Sequence, residues 1–165
     1  MENQNYFLNG LKKYLKLTLI AGIVVLLDQG SKALIVKTLP LHTARSVIDG
    51  FFNLVHIHNP GGAFGLMAGM SPAVRTAVFL VVSAMAVGLI LYFYHTTPAN
   101  RPWLATGFAM IFGGAVGNMI DRVRMGSVVD FLDFYVGRWH WPAFNIADSA
   151  IRQHPKLETN IHLHL

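Results

Sequence analysis

The chain contains no cysteine and few charged residues. The complete absence of cysteine from its 165 residues excludes disulfide frameworks, thiolate catalysis and cysteine metal sites. Charged residues make up 13% of the sequence and hydrophobic residues 53%, whereas a soluble domain carries about 25% charged residues. The mean hydropathy of +0.45 points in the same direction. This composition indicates an integral membrane protein.

The basic residues are scattered along the chain. The formal net charge is +5, but no block of lysine and arginine with interleaved aromatic residues is present, so nucleic acid is not an expected partner. The length and the lack of an internal repeat favour one domain. We place it at residues 1–151 and set apart residues 152–165 as an atypical polar tail.

Three apolar segments are long enough to cross a bilayer, which requires about 20 mostly apolar residues. They are residues 15–36, 76–94 and 103–120, and the second and third carry no charge. None alternates polar and apolar positions as a helix of a soluble bundle does. The sequence therefore predicts an α-helical integral membrane protein with three transmembrane helices.

The charge around the first span predicts the orientation. Lys12, Lys13 and Lys16 precede an apolar stretch that has no small-residue cleavage site, so we interpret it as a retained span with a cytoplasmic N-terminus. By parity, residues 37–75 form an outer loop, and the acidic segment 121–148 lies on the same outer side.

The outer loop has the composition of a strand followed by a turn. "FFNLVHIH" is rich in aromatic and β-branched residues. "NPGGAFG", residues 59–65, follows with three glycines and a proline, which permit a sharp bend or a close backbone approach. We expect a small sheet on the outer membrane surface, with Asn59 either forming the turn or holding a substrate backbone.

Carboxylates gather after the third span. Asp130 in "VVDF" and Asp148 in "FNIAD" both follow short apolar stretches. Two carboxylates brought together cannot both ionise easily, so one keeps a proton while the other activates a water towards an amide. By residue type, Asp133 is an equally valid member of such a pair.

The spans also carry polar residues that have two interpretations each. Asp28 and Lys32 are four residues apart and lie on one helical face; they form either a structural ion pair or the polar support of a site. Asn118, Asp121 and Arg122 end the third span. They form either an interfacial helix end or a site in which the guanidinium holds a carboxylate.

Histidines suggest no resident metal. His56 and His58 alternate on the expected strand, but a two-histidine metal site needs further ligands, and the sequence supplies none. We therefore predict no metal site.

Four motifs together resemble those of the lipoprotein signal peptidases, or signal peptidase II, in order and spacing. They are "DQGSK" (28–32), "NPGGAFG" (59–65), "GNMIDRVRMGSVVDFLDF" (117–134) and "FNIADSAI" (144–151). The likeness runs from about residue 15 to residue 151, and the last two motifs are the most specific.

The resemblance implies a bacterial inner-membrane aspartic peptidase that removes signal peptides from diacylglyceryl-modified prolipoproteins. It implies four transmembrane helices with a small extracytoplasmic sheet, no cofactor, contact with membrane lipids, an active site near the periplasmic face and inhibition by globomycin-type cyclic peptides. It selects Asp130 and Asp148 as the catalytic dyad and leaves Asp133 outside it. Further residues match substrate-binding or supporting positions: Asp28, Lys32, Asn59, Asn118, Asp121, Arg122 and Asn145.

The end of the chain departs from the family. A fourth apolar span is expected after residue 151, but "RQHPKLETNIHLHL" (152–165) follows and is too polar to cross a bilayer. We interpret it as a frameshifted or truncated end, with an altered sequence or a tail of separate function as alternatives. Loss of the span would leave Asp148 on a loose end.

Two other functions stay open at this point. An inactive remnant or membrane scaffold would explain the tail. A transporter component would use Asp28, Lys32 and Asp121 as a proton or ion path, although three spans leave little room for one.

Overall fold

The computed structural model describes residues 2–61 and 69–152. Three long helices, α1 (Glu2–Thr38), α2 (Pro72–Thr96) and α3 (Pro102–Met125), are followed by the short α4 (Ile146–Ile151). Four strands lie between them, and their bounds are β1 (Ala44–Ile48), β2 (Phe52–Asn59), β3 (Val128–Val136) and β4 (Trp139–His140).

The three predicted spans are confirmed, with longer bounds. Helices over Gly10–Thr38, Pro72–Thr96 and Pro102–Met125 are long and apolar enough to cross a membrane. The third helix does not end at residue 120 as predicted: it continues to Met125 and stops where Gly126 adopts a φ of 70°, a left-handed conformation that glycine tolerates. The predicted catalytic segment 121–148 therefore begins inside a helix.

The predicted small sheet is present and antiparallel. Its strand order is β1-β2-β3-β4, and the register shifts between Leu54 and Ile57 where β2 pairs with β3. The chain then returns along β3, where the Phe144 N–H donates to the Leu132 carbonyl at 3.1 Å. This return leads directly into α4, and its N-cap residue Asn145 donates to the Val129 carbonyl of β3 at 3.2 Å.

The sheet and the acidic segment share one end of the helical bundle, as the parity of the spans predicted. β2 belongs to the first connection and β3 follows α3, yet the two strands pair along their length. The opposite end of the bundle is closed by Lys13, whose ammonium donates to the carbonyls of His95 and Thr97 at 2.7 and 2.8 Å.

Glycines on one face of α3 allow its neighbours to approach its backbone. A Cβ at Gly113 would lie 2.9 Å from the Ala21 Cα of α1, and a Cβ at Gly114 would collide with the Ala147 carbonyl of α4. Small residues of this kind permit close helix packing inside a membrane. The face holds α1 and α4 against the same helix.

We expect the substitution Gly113→Ala to destabilise the fold by about 1–3 kcal/mol, because the added methyl meets backbone atoms that cannot rotate away. The matched control is Gly88→Ala in α2, where a Cβ would meet nothing within 4 Å. Thermal unfolding in detergent should show a lower Tm for the first variant and an equal or higher Tm for the second. Equal Tm values for the two variants would contradict this role of α3.

Candidate active site

Asp130 is a buried carboxylate near the start of β3. Its side chain faces β2 and the chain segment that precedes α4, and the residue is 2% exposed. The Asn59 side-chain amide donates to its Oδ2 at 2.9 Å, and the Asn145 amide donates to its Oδ1 at 2.8 Å. Both carboxylate oxygens are therefore held by neutral donors.

Asp148 is held in the first turn of α4. Asn145 is the N-cap of this helix: its Oδ1 accepts the Asp148 N–H at 2.9 Å, and its own N–H donates to the Asp148 Oδ2 at 3.4 Å. This reciprocal capping box satisfies two N–H groups of the helix end. Asp148 is thus anchored within the described residues, in contrast to the loose end expected from the tail.

Asn145 connects the two carboxylates. It contacts Asp130 through its side-chain amide and Asp148 through its backbone N–H, and it is fully buried. Asn118 of α3 completes the connection: its Nδ2 donates to the Asp148 Oδ1 at 2.8 Å, and its Oδ1 accepts the Asn145 Nδ2 at 3.2 Å. The structure brings together the two carboxylates that the resemblance selected, through two predicted asparagines.

Burial raises the pKa of Asp130 from 3.8 to about 6. The negative charge of Asp148 contributes to this rise, while the hydrogen bonds from Asn59 and Asn145 and the charge of Lys32 reduce it. Desolvation disfavours the ionised form of a carboxyl group that has only neutral donors. Asp130 therefore holds a proton at a higher pH than an ordinary aspartate.

Asp133 lies on the other face of β3. Because side chains alternate along a strand, a separation of three residues directs Asp133 away from Asp130. It is hydrogen-bonded there by Asn53 at 3.0 Å and by the His140 ring at 2.9 Å. Asp133 therefore lies apart from Asp130 and has different hydrogen-bond partners.

The predicted pair of Asp28 and Lys32 is present, and it is part of a larger buried cluster. The Lys32 ammonium lies 2.8 Å from Asp28 and 2.7 Å from Asp121 of α3, and it donates to the Asn118 Oδ1 at 3.0 Å. Gln29 also belongs to the cluster, because its amide donates to Asp121 at 2.9 Å and to Asp28 at 3.2 Å. Sequence reasoning missed Gln29, although it stands inside the "DQGSK" motif.

Asn59 is the last residue of β2 and forms the turn, which was one of its two predicted roles. Its Oδ1 accepts the Gly61 N–H at 2.9 Å, which forms the turn, while its amide holds Asp130. Gly61 has a φ of +83°, and a Cβ there would meet the Phe79 ring of α2. The turn thus rests on α2 beside the carboxylates.

Arg122 does not form the carboxylate fork that its residue type suggested, within the part of the chain that the structure describes. Its guanidinium lies over the Phe79 ring, 5.5 Å from the ring centroid, and it makes long contacts to the Ser83 hydroxyl and the Asn118 carbonyl at 3.5 and 3.4 Å. Its positive charge is near the charges of Asp148 and Asp130.

His56 and His58 contact each other on β2, with their Nε2 atoms 3.3 Å apart. The His56 Nδ1 donates to the Leu39 carbonyl at 2.8 Å, and the His58 Nδ1 lies 3.3 Å from the Ser127 hydroxyl. Among residues 2–61 and 69–152, no group of three histidine, aspartate or glutamate side chains has the spacing of a metal site.

Two expectations fall outside the described residues. The predicted bend at "NPGGAFG" extends beyond Gly61 into residues 62–65, and the polar tail is described only at Arg152.

Comparisons with known proteins indicate the family of the chain. A sequence model of the family described as signal peptidase (SPase) II matches residues 20–153. A lipoprotein signal peptidase of Desulforapulum autotrophicum is 58% identical over 136 residues, which are 82% of this chain and 84% of that protein. Another, of Syntrophus aciditrophicus, is 48% identical over 86% of this chain and 88% of its own length.

Solved structures support the same conclusion. Two structures of a bacterial membrane enzyme superpose on 82% of this chain, and on 79% and 84% of their own chains, with TM-scores of 0.71 and 0.72 and 32% sequence identity. Sequence and fold therefore agree with the motifs, and the chain belongs to the signal peptidase II family, the lipoprotein signal peptidases.

Proposed function

We propose that the chain is an aspartic endopeptidase in which Asp130 and Asp148 form the catalytic dyad. Its substrates are diacylglyceryl-modified prolipoproteins, from which it removes the signal peptide by cutting just before the lipid-modified cysteine. The observation that carries the proposal is Asn145, which is hydrogen-bonded to both carboxylates at once. The family of the chain supports the reaction and the substrate class.

The proposed reaction begins with the dyad holding one proton. Asp130 carries it, because burial raises its pKa and an apolar substrate that excludes water raises it further. Asp148, which is partly exposed, takes a proton from a water as the water oxygen attacks the scissile carbonyl carbon. Asp130 donates its proton to the carbonyl oxygen, and a tetrahedral diol forms.

Collapse of the diol completes the reaction. Asp148 returns its proton to the amide nitrogen while the carbon–nitrogen bond breaks, and Asp130 recovers a proton from one hydroxyl group. The signal peptide leaves with a new carboxyl terminus, and the lipid-modified cysteine gains a free amino group. The two carboxyl groups and the water supply the whole reaction.

The supporting residues orient this chemistry. Asn59, Asn118 and Asn145 donate to the carboxylates and fix their rotation. Arg122, over the Phe79 ring beside the dyad, supplies positive charge near the one negative charge that the dyad carries before and after the diol forms.

The proposed location follows from the substrate. A prolipoprotein held in the bilayer by two acyl chains and a signal peptide presents its scissile bond at the membrane surface, and the dyad lies where β3 meets the end of α3. We place the chain in the bacterial inner membrane with the sheet on the periplasmic side. Its partners there are membrane lipids and lipid-modified prolipoproteins, and globomycin-type cyclic peptides should occupy the same site.

Replacing either Asp130 or Asp148 by asparagine should lower kcat by at least about 10³-fold, because the dyad then lacks either its acid or its base. The measurement is cleavage of a diacylglyceryl-modified prolipoprotein in liposomes. The matched control is Asp133→Asn, which makes the same change on the same strand but on the opposite face, and which should retain cleavage.

Three outcomes would reject parts of the proposal. Cleavage that survives Asp130→Asn would reject this dyad. Equal loss in the Asp133→Asn control would reject the assignment to one face of β3. A folded parent chain that cleaves nothing would favour the inactive remnant, and a fourth apolar span grafted after Ile151 would show whether the tail is the cause.

The raised pKa of Asp130 predicts how stability depends on pH. Between pH 3.8 and about 6 the folded chain binds more protons at this site than the unfolded chain, so the free energy of unfolding decreases as pH rises through this window. The cost above pH 6 is on the order of 3 kcal/mol. Asp130→Asn should remove it.

The corresponding measurement is thermal unfolding at pH 4 and pH 8 in the same detergent. We expect the Tm of the parent relative to Asp130→Asn to be lower at pH 8 than at pH 4. Asp133→Asn serves as the matched control for loss of one carboxyl group. A parent and an Asp130→Asn variant whose Tm values change in parallel with pH would contradict the raised pKa.

A further inference from the structure

We propose that Lys32, Asp28 and Asp121 form a clamp that sets the spacing of the two catalytic carboxylates. We name these three residues the Lys32 clamp. They are positioning residues: they act through two backbone N–H groups and contact neither carboxylate of the dyad. The catalytic meaning of the clamp rests on the proposed function, but its geometry does not.

The first arm of the clamp reaches Asp148. The Lys32 ammonium binds the Asp28 Oδ2 at 2.8 Å, and the other oxygen of Asp28, Oδ1, accepts the Ala147 N–H at 3.0 Å. Ala147 directly precedes Asp148, and its N–H is one of the donors that the start of α4 leaves unpaired within the helix. Asp28 on α1 therefore holds the first turn of α4, from which the Asp148 side chain extends.

The second arm reaches Asp130. The same ammonium binds the Asp121 Oδ2 at 2.7 Å, and that oxygen accepts the Val129 N–H at 3.2 Å. Val129 directly precedes Asp130 on β3. One cation thus holds two carboxylates, and each carboxylate grips the backbone N–H of the residue immediately before one member of the dyad.

The clamp has little freedom to move. Asp28, Lys32 and Asp121 are 0%, 3% and 1% exposed, so water does not substitute for a lost contact. A Cβ at Gly117 would lie 2.6 Å from the Asp28 Oδ2, so α3 packs directly against this carboxylate. A shift of either carboxylate would displace Ala147 or Val129, and the neighbouring catalytic side chain would follow.

A cluster that only stabilised the helices would need an ion pair between α1 and α3 and nothing more. The Lys32 clamp instead also binds the N–H groups of Val129 and Ala147, each of which directly precedes one carboxylate of the dyad. Misplacement of reacting groups by 1 Å costs on the order of 100-fold in rate. Loss of one arm should therefore lower kcat in molecules that are still folded.

The kinetic test compares Asp121→Leu with Asp121→Asn. The leucine variant keeps Lys32 paired with Asp28 but removes the acceptor of the Val129 N–H, whereas the asparagine variant retains an acceptor. We expect kcat for a diacylglyceryl-modified prolipoprotein to fall about 10- to 100-fold in the leucine variant and less in the asparagine variant, with KM within about twofold of the parent value in both.

Asp133→Leu is the matched control, because it removes a buried carboxylate from β3 that has no contact with the clamp. It should leave kcat per folded molecule unchanged. A leucine variant at residue 121 with a lower Tm but the parent kcat per folded molecule would overturn the proposal and leave a purely stabilising cluster.

A second test does not depend on activity. Because the chain has no cysteine, the double substitution Asp130→Cys with Asp148→Cys introduces a unique thiol pair, and bifunctional thiol reagents of graded length measure their separation. Adding Asp121→Leu should move the preferred reagent length or broaden its distribution. Adding Asp121→Asn should change the reagent-length distribution less, and adding Asp133→Leu should leave it unchanged.

The two tests separate the clamp from the proposed function. A cross-linking profile unchanged by Asp121→Leu would overturn the clamp, whether or not the dyad is catalytic. A changed profile in a chain whose cleavage survives Asp130→Asn would support the clamp and reject the dyad. If Asp121→Leu fails to fold, the smaller Asp121→Ala variant removes the same acceptor and replaces it in both tests: an unchanged profile together with an unchanged kcat would overturn the clamp.

Discussion

The fold near the site depends on one buried cation between two buried carboxylates. The Lys32 ammonium contacts Asp28 on its own helix and Asp121 on α3. Burying one unpaired charge inside a bilayer is costly, so each of the three groups requires the others in place. Their remaining hydrogen-bonding capacity is directed to backbone N–H groups of β3 and α4. A single ion cluster thereby joins α1 to α3, β3 and α4.

Packing and polar contacts impose the same constraint on α3. Its glycine face brings the backbone of α3 against α1 and α4, and Gly117 also provides the space for the Asp28 carboxylate. A larger residue at any of these positions would separate the helices and pull the polar groups apart. The apolar contacts and the ion cluster therefore stabilise one arrangement, in which Asn145, the N-cap of α4, contacts the first residues of β3.

Local patterns in the sequence were sufficient for much of this architecture. Length and hydropathy predicted three spans, and strand composition predicted β2, since both properties depend on neighbouring residues. The strand period would also have separated Asp130 from Asp133 had "VVDFLDF" been interpreted as a strand. The capping box of Asn145 and Asp148 was equally accessible as a three-residue spacing. The role of Gln29 was not accessible from local sequence, because its contacts with Gly117 and Asp121 join positions far apart in the chain.

Their hydrogen-bond and ion-pair partners distinguish the two carboxylates of the proposed dyad from three other carboxylates that are buried. Asp28 and Asp121 contact the Lys32 ammonium, and Asp133 contacts the His140 ring. Asp130 and Asp148, within the residues that the structure describes, are hydrogen-bonded by amide donors alone. Neutral donors orient a carboxylate without neutralising its charge, so burial and the nearby charge of Asp148 remain free to raise the pKa of Asp130. Lys32 pairs instead with the neighbouring carboxylates Asp28 and Asp121, whose contacts with backbone N–H groups support the proposed dyad.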